Sequence, residues 1–374
     1  MFKIKKQINI LYITSILANL SISGAWVAIL AARGFSLVQI GFAETMFHVT
    51  SIIFEIPSGA LADAYGRKKM LLVSYTCSII ADIVMVLSGG FFMVCLSICI
   101  NALSYNFASG SGDALAYDSL KLAGEEKRYE KYVSNQFVIY RVASGISTLC
   151  AGLALYLGYR MAYGISAVTY FAVLLIACML VEVKINSGEE EGNEKKAEEK
   201  NRLKKVFSDI YVYFKDSLLF LKGNPKATKL MFANSFVGAV DILLLFFLQS
   251  KLKTAGISNT FLGVALFTME LGGVVGSALI VKAKHVDYRI IFTVCTIGVL
   301  AGVFLEHTAL VPVMTLGGFI AAMSDDALQV RTDAKLQDMF PSEQRATLIS
   351  ISSFTFSVIM IVLSPLAGFF FSMW

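Results

Sequence analysis

Apolar runs of eighteen residues or more recur along this chain, and the charges gather in the short stretches between them. A helix rises about 1.5 Å per residue, so each run is long enough to cross the hydrocarbon of a bilayer. The runs place spans at about 8–31, 37–61, 69–88, 91–117, 131–157, 161–182, 228–250, 258–281, 288–306, 308–329 and 346–373. That makes eleven predicted helices and an all-α polytopic membrane protein. The first run follows a basic start, "MFKIKK", but it is too long for a signal-peptide core. No small-x-small cleavage site follows it, so it reads as a retained helix.

Composition agrees with that pattern. Of 374 residues, 56% are hydrophobic and only 16% charged, against about 25% charged in soluble domains. The net charge of +5 does not point to nucleic acid; the placement of the charges matters more. With a cytoplasmic N-terminus, 27 Lys and Arg fall on the inner side, four (Arg33, Arg160, Lys251, Lys253) fall outside, and Arg141 lies within a span. This asymmetry matches the excess of positive charge on cytoplasmic loops and predicts a plasma-membrane protein. The six cysteines fall inside spans with no metal-site spacing and read as buried, inert thiols.

A charged, low-complexity stretch, "NSGEEEGNEKKAEEKN", divides six helices from five. It cannot bury a core. Leu203, Val206, Phe207, Ile210, Phe214 and Leu218 then recur near helical spacing, which predicts an amphipathic helix on the membrane surface or on the protein's own loops. The expected domains are residues 1–183, a six-helix bundle; 184–227, a cytoplasmic linker; and 228–374, a five-helix bundle. "SGDALAYDSLK" at the end of the fourth span is echoed 213 residues later by "SDDALQVRTDAK" at the end of the tenth. This echo predicts two related bundles about an axis along the membrane normal. The chain stops after the eleventh span, so a twelfth helix is expected to be missing and the C-terminus to lie outside.

One connection is unlike the others. "EIPSGALADAYGRKKML" places a proline, two glycines, an aspartate and a basic run between the second and third spans. Gly59 would let a neighbouring helix approach closely. Asp63 would meet the N-terminal dipole of another helix, and the eleventh, which opens near Ser342, is the natural candidate. Gly66 allows a tight turn. Arg67 and Lys68 would hold anionic lipid or a carboxylate at the end of the fourth helix, such as Asp118. Gly59, Leu61, Asp63, Gly66, Arg67 and Lys68 resemble the G-x-L-x-D-x-x-G-R-(R/K) signature of the major facilitator superfamily, and the flanking segments are similar to its drug-efflux branch. The resemblance implies a secondary transporter working by alternating access, with this connection as a gating motif. Two features depart from the efflux pattern. Asn106 stands where many proton-coupled exporters have an arginine, and the fifth span keeps Gly145, Gly152 and Gly158 for close packing without a proline.

Charges inside spans are costly and mark function. Asp113, Arg141, Asp241, Glu270, Glu55 and Asp326 are the candidates for coupling or substrate binding, with Glu44, Asp82 and Asp325 beside them. Arg141 is expected to pair with Asp113. His48 stands alone and reads as a polar core contact. Trp26, Tyr105, Phe137, Tyr140 and Phe236 offer aromatic faces suited to cations. The three histidines are too dispersed for a membrane-embedded enzyme, and no phosphate-binding loop occurs. The expected cofactor set is therefore none, with an ion gradient, of protons, as the driving force. The expected partners are a small-molecule substrate and the lipid bilayer, with no nucleic acid, for a monomer. Export of small amphipathic or cationic compounds is the leading function; uptake of a metabolite, or a truncated non-transporting protein, is the alternative.

Overall fold

The structure, a computed structural model, describes residues 4–183, 212, 215, 216, 219–283, 285–339 and 345–373. The expected amphipathic segment from Leu203 to Leu218 and the Ser342 cap lie outside the described residues. All described secondary structure is helical. The helices are α1 (Ile4–Asn19), α2 (Trp26–Ala32), α3 (Leu37–Tyr65), α4 (Arg67–Leu87), α5 (Phe91–Ala108), α6 (Ser111–Leu122), α7 (Tyr129–Leu149), α8 (Ala151–Leu157) and α9 (Tyr159–Ala177). The second half of the chain forms α10 (Pro225–Thr254), α11 (Asn259–Ile280), α12 (Tyr288–Glu306), α13 (Val311–Asp338) and α14 (Arg345–Ser372).

Among the described residues nine spans are long and apolar enough to cross a membrane, and a tenth forms if α7 and α8, bent by 47°, count as one. The first expected span is interrupted. A 3₁₀ turn at Ile22–Gly24 separates α1 from α2, where Ser21, Ser23 and Gly24 disfavour the helix. The fourth span also breaks, between α5 and α6, at Gly110 with φ +72°. Of the six cysteines, expected to be buried, only Cys295 is fully so and Cys178 is exposed.

The residues pack as two compact units that cut across chain order. The first takes Met1–Ser21, Val49–Ser144 and Tyr163–Leu219; the second takes Ile22–His48, Gly145–Ala162 and Phe220–Trp374. Long helices α3 and α7 each contribute one part to each unit.

The first unit is held by Ile8, Leu11, Leu71, Tyr75, Leu115, Leu120, Tyr132, Val173 and Leu180. Buried Gln7 joins its ends: its Nε2 donates to the Val181 carbonyl (2.8 Å) and its Oε1 accepts from the Val181 N–H (3.0 Å). One side-chain amide thus satisfies a backbone unit just beyond the end of α9. Asn106 does the same between α5 and α3, accepting from Ser51 Oγ (2.9 Å) and donating to the Ser51 carbonyl (2.8 Å).

In the second unit small residues let helices touch at the backbone. A Cβ at Gly41 or Gly368 on the α3–α14 contact would collide with the carbonyls of Ser364 and Leu37. Gly152 and Gly263 stand likewise against the carbonyls of Asn259 and Leu149, which joins α7 and α8 to α11. Gly145 and Gly152 therefore serve close packing as expected, whereas Gly158 turns the chain into α9 with φ +80°.

The α3–α14 seam has a second tie. Pro365 lies inside α14 and has no N–H, so the carbonyl of Ile361, four residues earlier, lacks its helical donor. Thr45 Oγ1 of α3 donates to that carbonyl at 3.0 Å. In hydrocarbon an orphaned carbonyl has no water to turn to. Thr45→Val is expected to destabilise the protein by about 1–3 kcal/mol, measured by unfolding in detergent. In a Pro365→Ala background, where the N–H returns, the same substitution costs much less; an equal loss in both backgrounds would show that the hydroxyl acts elsewhere.

Candidate functional site

The connection between α3 and α4 is built around a turn that only glycine takes easily. Gly66 has φ +105° and precedes the first residue of α4. A Cβ there would also strike the carboxylate of Glu182, which occupies the vacant space. Glu182 Oε1 accepts the Arg67 backbone N–H at 2.9 Å. A carboxylate from beyond α9 thereby caps the N-terminus of α4, where the helix dipole favours negative charge.

The Arg67 guanidinium reaches the Asp118 carboxylate of α6 and donates to the Ala114 carbonyl at 2.8 Å. Lys68 Nζ donates to the Cys178 carbonyl at 3.0 Å, at the end of α9. The basic run therefore ties α4 to α6 and to the end of α9. Leu61 is half-buried. Gly59 departs from expectation: it is exposed, with no atom near the place of a Cβ, so no helix approaches it closely. Its neighbours in α3 turn the other side of the helix inward. The Asp63 side chain lies outside the described residues.

A second cluster sits in the second unit. On α13, three successive residues each point at a glycine of a different helix. Ser324 faces Gly298 of α12, Asp325 faces Gly238 of α10, and Asp326 faces Gly273 of α11. Asp241 of α10 is 4% exposed, and the charges that act on it are those of Asp325 and Asp326. Its Oδ1 has no hydrogen-bond partner among the described residues. Asp325 is 6% exposed, and neither it nor Asp241 has a Lys, Arg or His at ion-pair distance among the described residues. Two carboxylates so buried and so close cannot both stay ionised without a cation or a shared proton. Glu270 of α11 accepts a hydrogen bond from Thr148 of α7 at 2.6 Å.

The other candidates lie apart. Asp113 is exposed on α6 and stands beside Tyr129 and Tyr132 at the start of α7. Tyr132 precedes Arg141 by about 13 Å of helix. The expected Arg141–Asp113 pair is thus replaced by a different arrangement, with the Arg141 guanidinium over the Phe137 ring at 5.4 Å. Glu55 is half-buried, and Tyr105 stands near both Glu55 and Tyr140. Trp26 meets Phe246 edge-on at 5.5 Å, while Phe236 is exposed. Asp82 is buried in α4 within reach of Ser166.

Three polar contacts escaped the sequence reading. His48 is not alone: its Nε2 lies 3.2 Å from Glu44 Oε1, a pairing legible from the four-residue spacing. Glu306 is 2% exposed between Lys251 (4.0 Å) and His307 (2.9 Å). Glu182 gave no signal beyond being an acid at the end of a span.

These features define a class, the polytopic helical transporter with two sets of helices and a basic clasp at one membrane face. Residues 8–365 match the Major Facilitator Superfamily, and the chain belongs to that family. It is 24% identical over 356 residues to an uncharacterised MFS-type transporter, YxaM, of Bacillus subtilis (strain 168), covering 92% of this chain and 84% of the relative. Its fold is similar to that of the nucleoside transporter NupG, with TM-score 0.73, 15% identity, and 98% and 91% of the two chains covered. It is also similar to a D-xylose-proton symporter, with TM-score 0.70, 13% identity, and 97% and 89% covered. The protein is therefore a multi-pass membrane transporter of a family that is not one of enzymes.

Gly66→Ala is expected to cost about 1–3 kcal/mol through the forced backbone, read as lowered thermal stability in detergent. Glu182→Ala in addition should recover part of that loss by removing the collision. Full stability of Gly66→Ala alone would show that the turn does not need glycine.

Proposed function

We propose that this protein is a proton-coupled secondary transporter that exports small amphipathic or cationic compounds across the plasma membrane by alternating access. The observation that carries this reading is the Asp241–Asp325 pair, buried between α10 and α13 with no Lys, Arg or His at ion-pair distance among the described residues. A proton shared by the two carboxylates neutralises the site, and its loss leaves a charge that the surrounding helices must rearrange to solvate. That difference between two states is what coupling to a gradient requires.

The substrate class is supported by Tyr105, which stands near both Tyr140 and the Glu55 carboxylate; aromatic rings close to an acid attract organic cations. Asp113, Arg141, Glu270 and Asp326 are further charged groups that a substrate or proton would meet. The Arg67–Asp118 clasp acts as the latch that holds one membrane face closed and releases it. No bound cofactor is invoked; the proton gradient supplies the energy. The split of Lys and Arg between the two sets of loops supports a cytoplasmic N-terminus.

Uptake with protons is the second reading, favoured by the similarity in fold to a D-xylose-proton symporter. Everted vesicles with an acid lumen separate the two. Export by exchange predicts that a lipophilic cation added outside collapses the pH gradient, and that Asp241→Asn abolishes the effect. If only compounds loaded into the lumen release protons, symport replaces antiport. If Asp241→Asn transports as the wild type does, the pair is not the coupling site.

A further inference from the structure

His48 lies on the α3–α14 seam, one turn from the Thr45 tie, and the transport reading above makes no use of it. Its Nε2 is 3.2 Å from Glu44 Oε1 on the same helix. Its Nδ1 is 3.2 Å from Ser357 Oγ on α14. Phe47 and Phe356 stand edge-on to the ring, with centroids 5.5 and 5.8 Å away. The imidazole and carboxyl side chains are 9% and 14% exposed.

The ionisable surroundings are sparse. From Ile351 to Ser372, α14 carries no ionisable side chain. The other acids of α3, Glu55 and Asp63, lie eleven and nineteen residues beyond Glu44, in the other compact unit. On α10, which packs against α14, Asp241 answers to Asp325 and Asp326, and Lys251 turns toward Glu306.

We propose that Glu44 and His48 form a proton-binding site, separate from Asp241 and Asp325, that is filled while the α3–α14 seam is closed. Its consequence for transport rests on the reading above; its chemistry does not. With the ring neutral, the largely buried Glu44 carboxylate beside it carries a single charge. One proton taken from water onto the ring leaves imidazolium and carboxylate to cancel, and a neutral pair is the cheaper one to bury.

Ser357 suits both states. A hydroxyl donates to the bare Nδ1 of a neutral ring and accepts from the Nδ1–H of a charged one. Parting the seam would remove Ser357 and wet Glu44. Proton binding and seam closure therefore favour each other, and each biases the other by the same free energy. Acid stabilises the closed seam and alkali loosens it, across the range of about pH 5 to 8 in which histidine ordinarily changes charge. In a transporter this makes opening of that face sensitive to pH independently of the coupling carboxylates.

The chain has three histidines, His48, His285 and His307, so the site can be read directly. Protein labelled with ¹⁵N-histidine in bilayers gives ring-nitrogen shifts that separate neutral from charged imidazole, and His48→Gln assigns the signal. The expected result is a His48 ring that gains charge as the pH is lowered from 8 to 5, with a titration that moves when Glu44 is replaced in Glu44→Gln. Hydrogen exchange of α14 around Ser357, corrected for intrinsic rates, should slow on acidification in the wild type but not in Glu44→Gln. A ring that stays neutral from pH 5 to 8, a titration unchanged by Glu44→Gln, or exchange with the same pH dependence in both proteins would overturn the proposal. These readouts need neither substrate nor gradient, and Asp241→Asn should leave them unchanged, so they stand or fall apart from the transport reading.

Discussion

Inside a bilayer no water is available to a backbone group that has lost its partner, and this constraint organises the structure. At three places where a helix loses a bond or ends, a side chain from a segment distant in sequence completes the hydrogen bonding. Thr45 takes the carbonyl freed by Pro365. Gln7 pairs both polar groups of Val181. Glu182 caps α4 where Gly66 has no side chain to do so. Each repair is also a joint between segments, so the same requirement that keeps the spans intact decides which of them are tied together.

Charge follows a related logic. The carboxylates of α13 are accommodated by glycines on the facing helices, which bring backbone close and leave room for the acid. The two S-x-D-A-L segments show how such an arrangement diverges between halves of a chain. In both, the serine and leucine are buried. The aspartate of the first, Asp113, is exposed beside α7, whereas Asp326 of the second is held against Gly273. A repeat thus preserves the helix packing while releasing one polar position for a different use.

Much of the fold was legible in the chain. The spans follow from hydropathy, because a helix must be apolar for the full hydrocarbon thickness, whereas the breaks within the first, fourth and fifth spans did not show in hydropathy. The family was legible in Gly59 to Lys68, and the Arg67–Asp118 contact could be anticipated because a basic run at one helix end seeks an acid at a neighbouring end. Other parts were not legible. Gly59 looks like a packing glycine but faces open space, and Arg141 does not lie where adjacency of helices four and five suggested.

By itself the sequence determined which segments are apolar helices and which family they belong to, because these depend on composition and spacing along one chain. Only the tertiary structure decided which groups meet: Glu182 with Gly66 and Arg67, Asp241 with Asp325, His48 with Ser357. Those pairings join positions roughly 80 to 310 residues apart, and they arise where small residues let two helices touch. A local pattern shows that a polar group is present; the packing of helices determines whether it finds a partner.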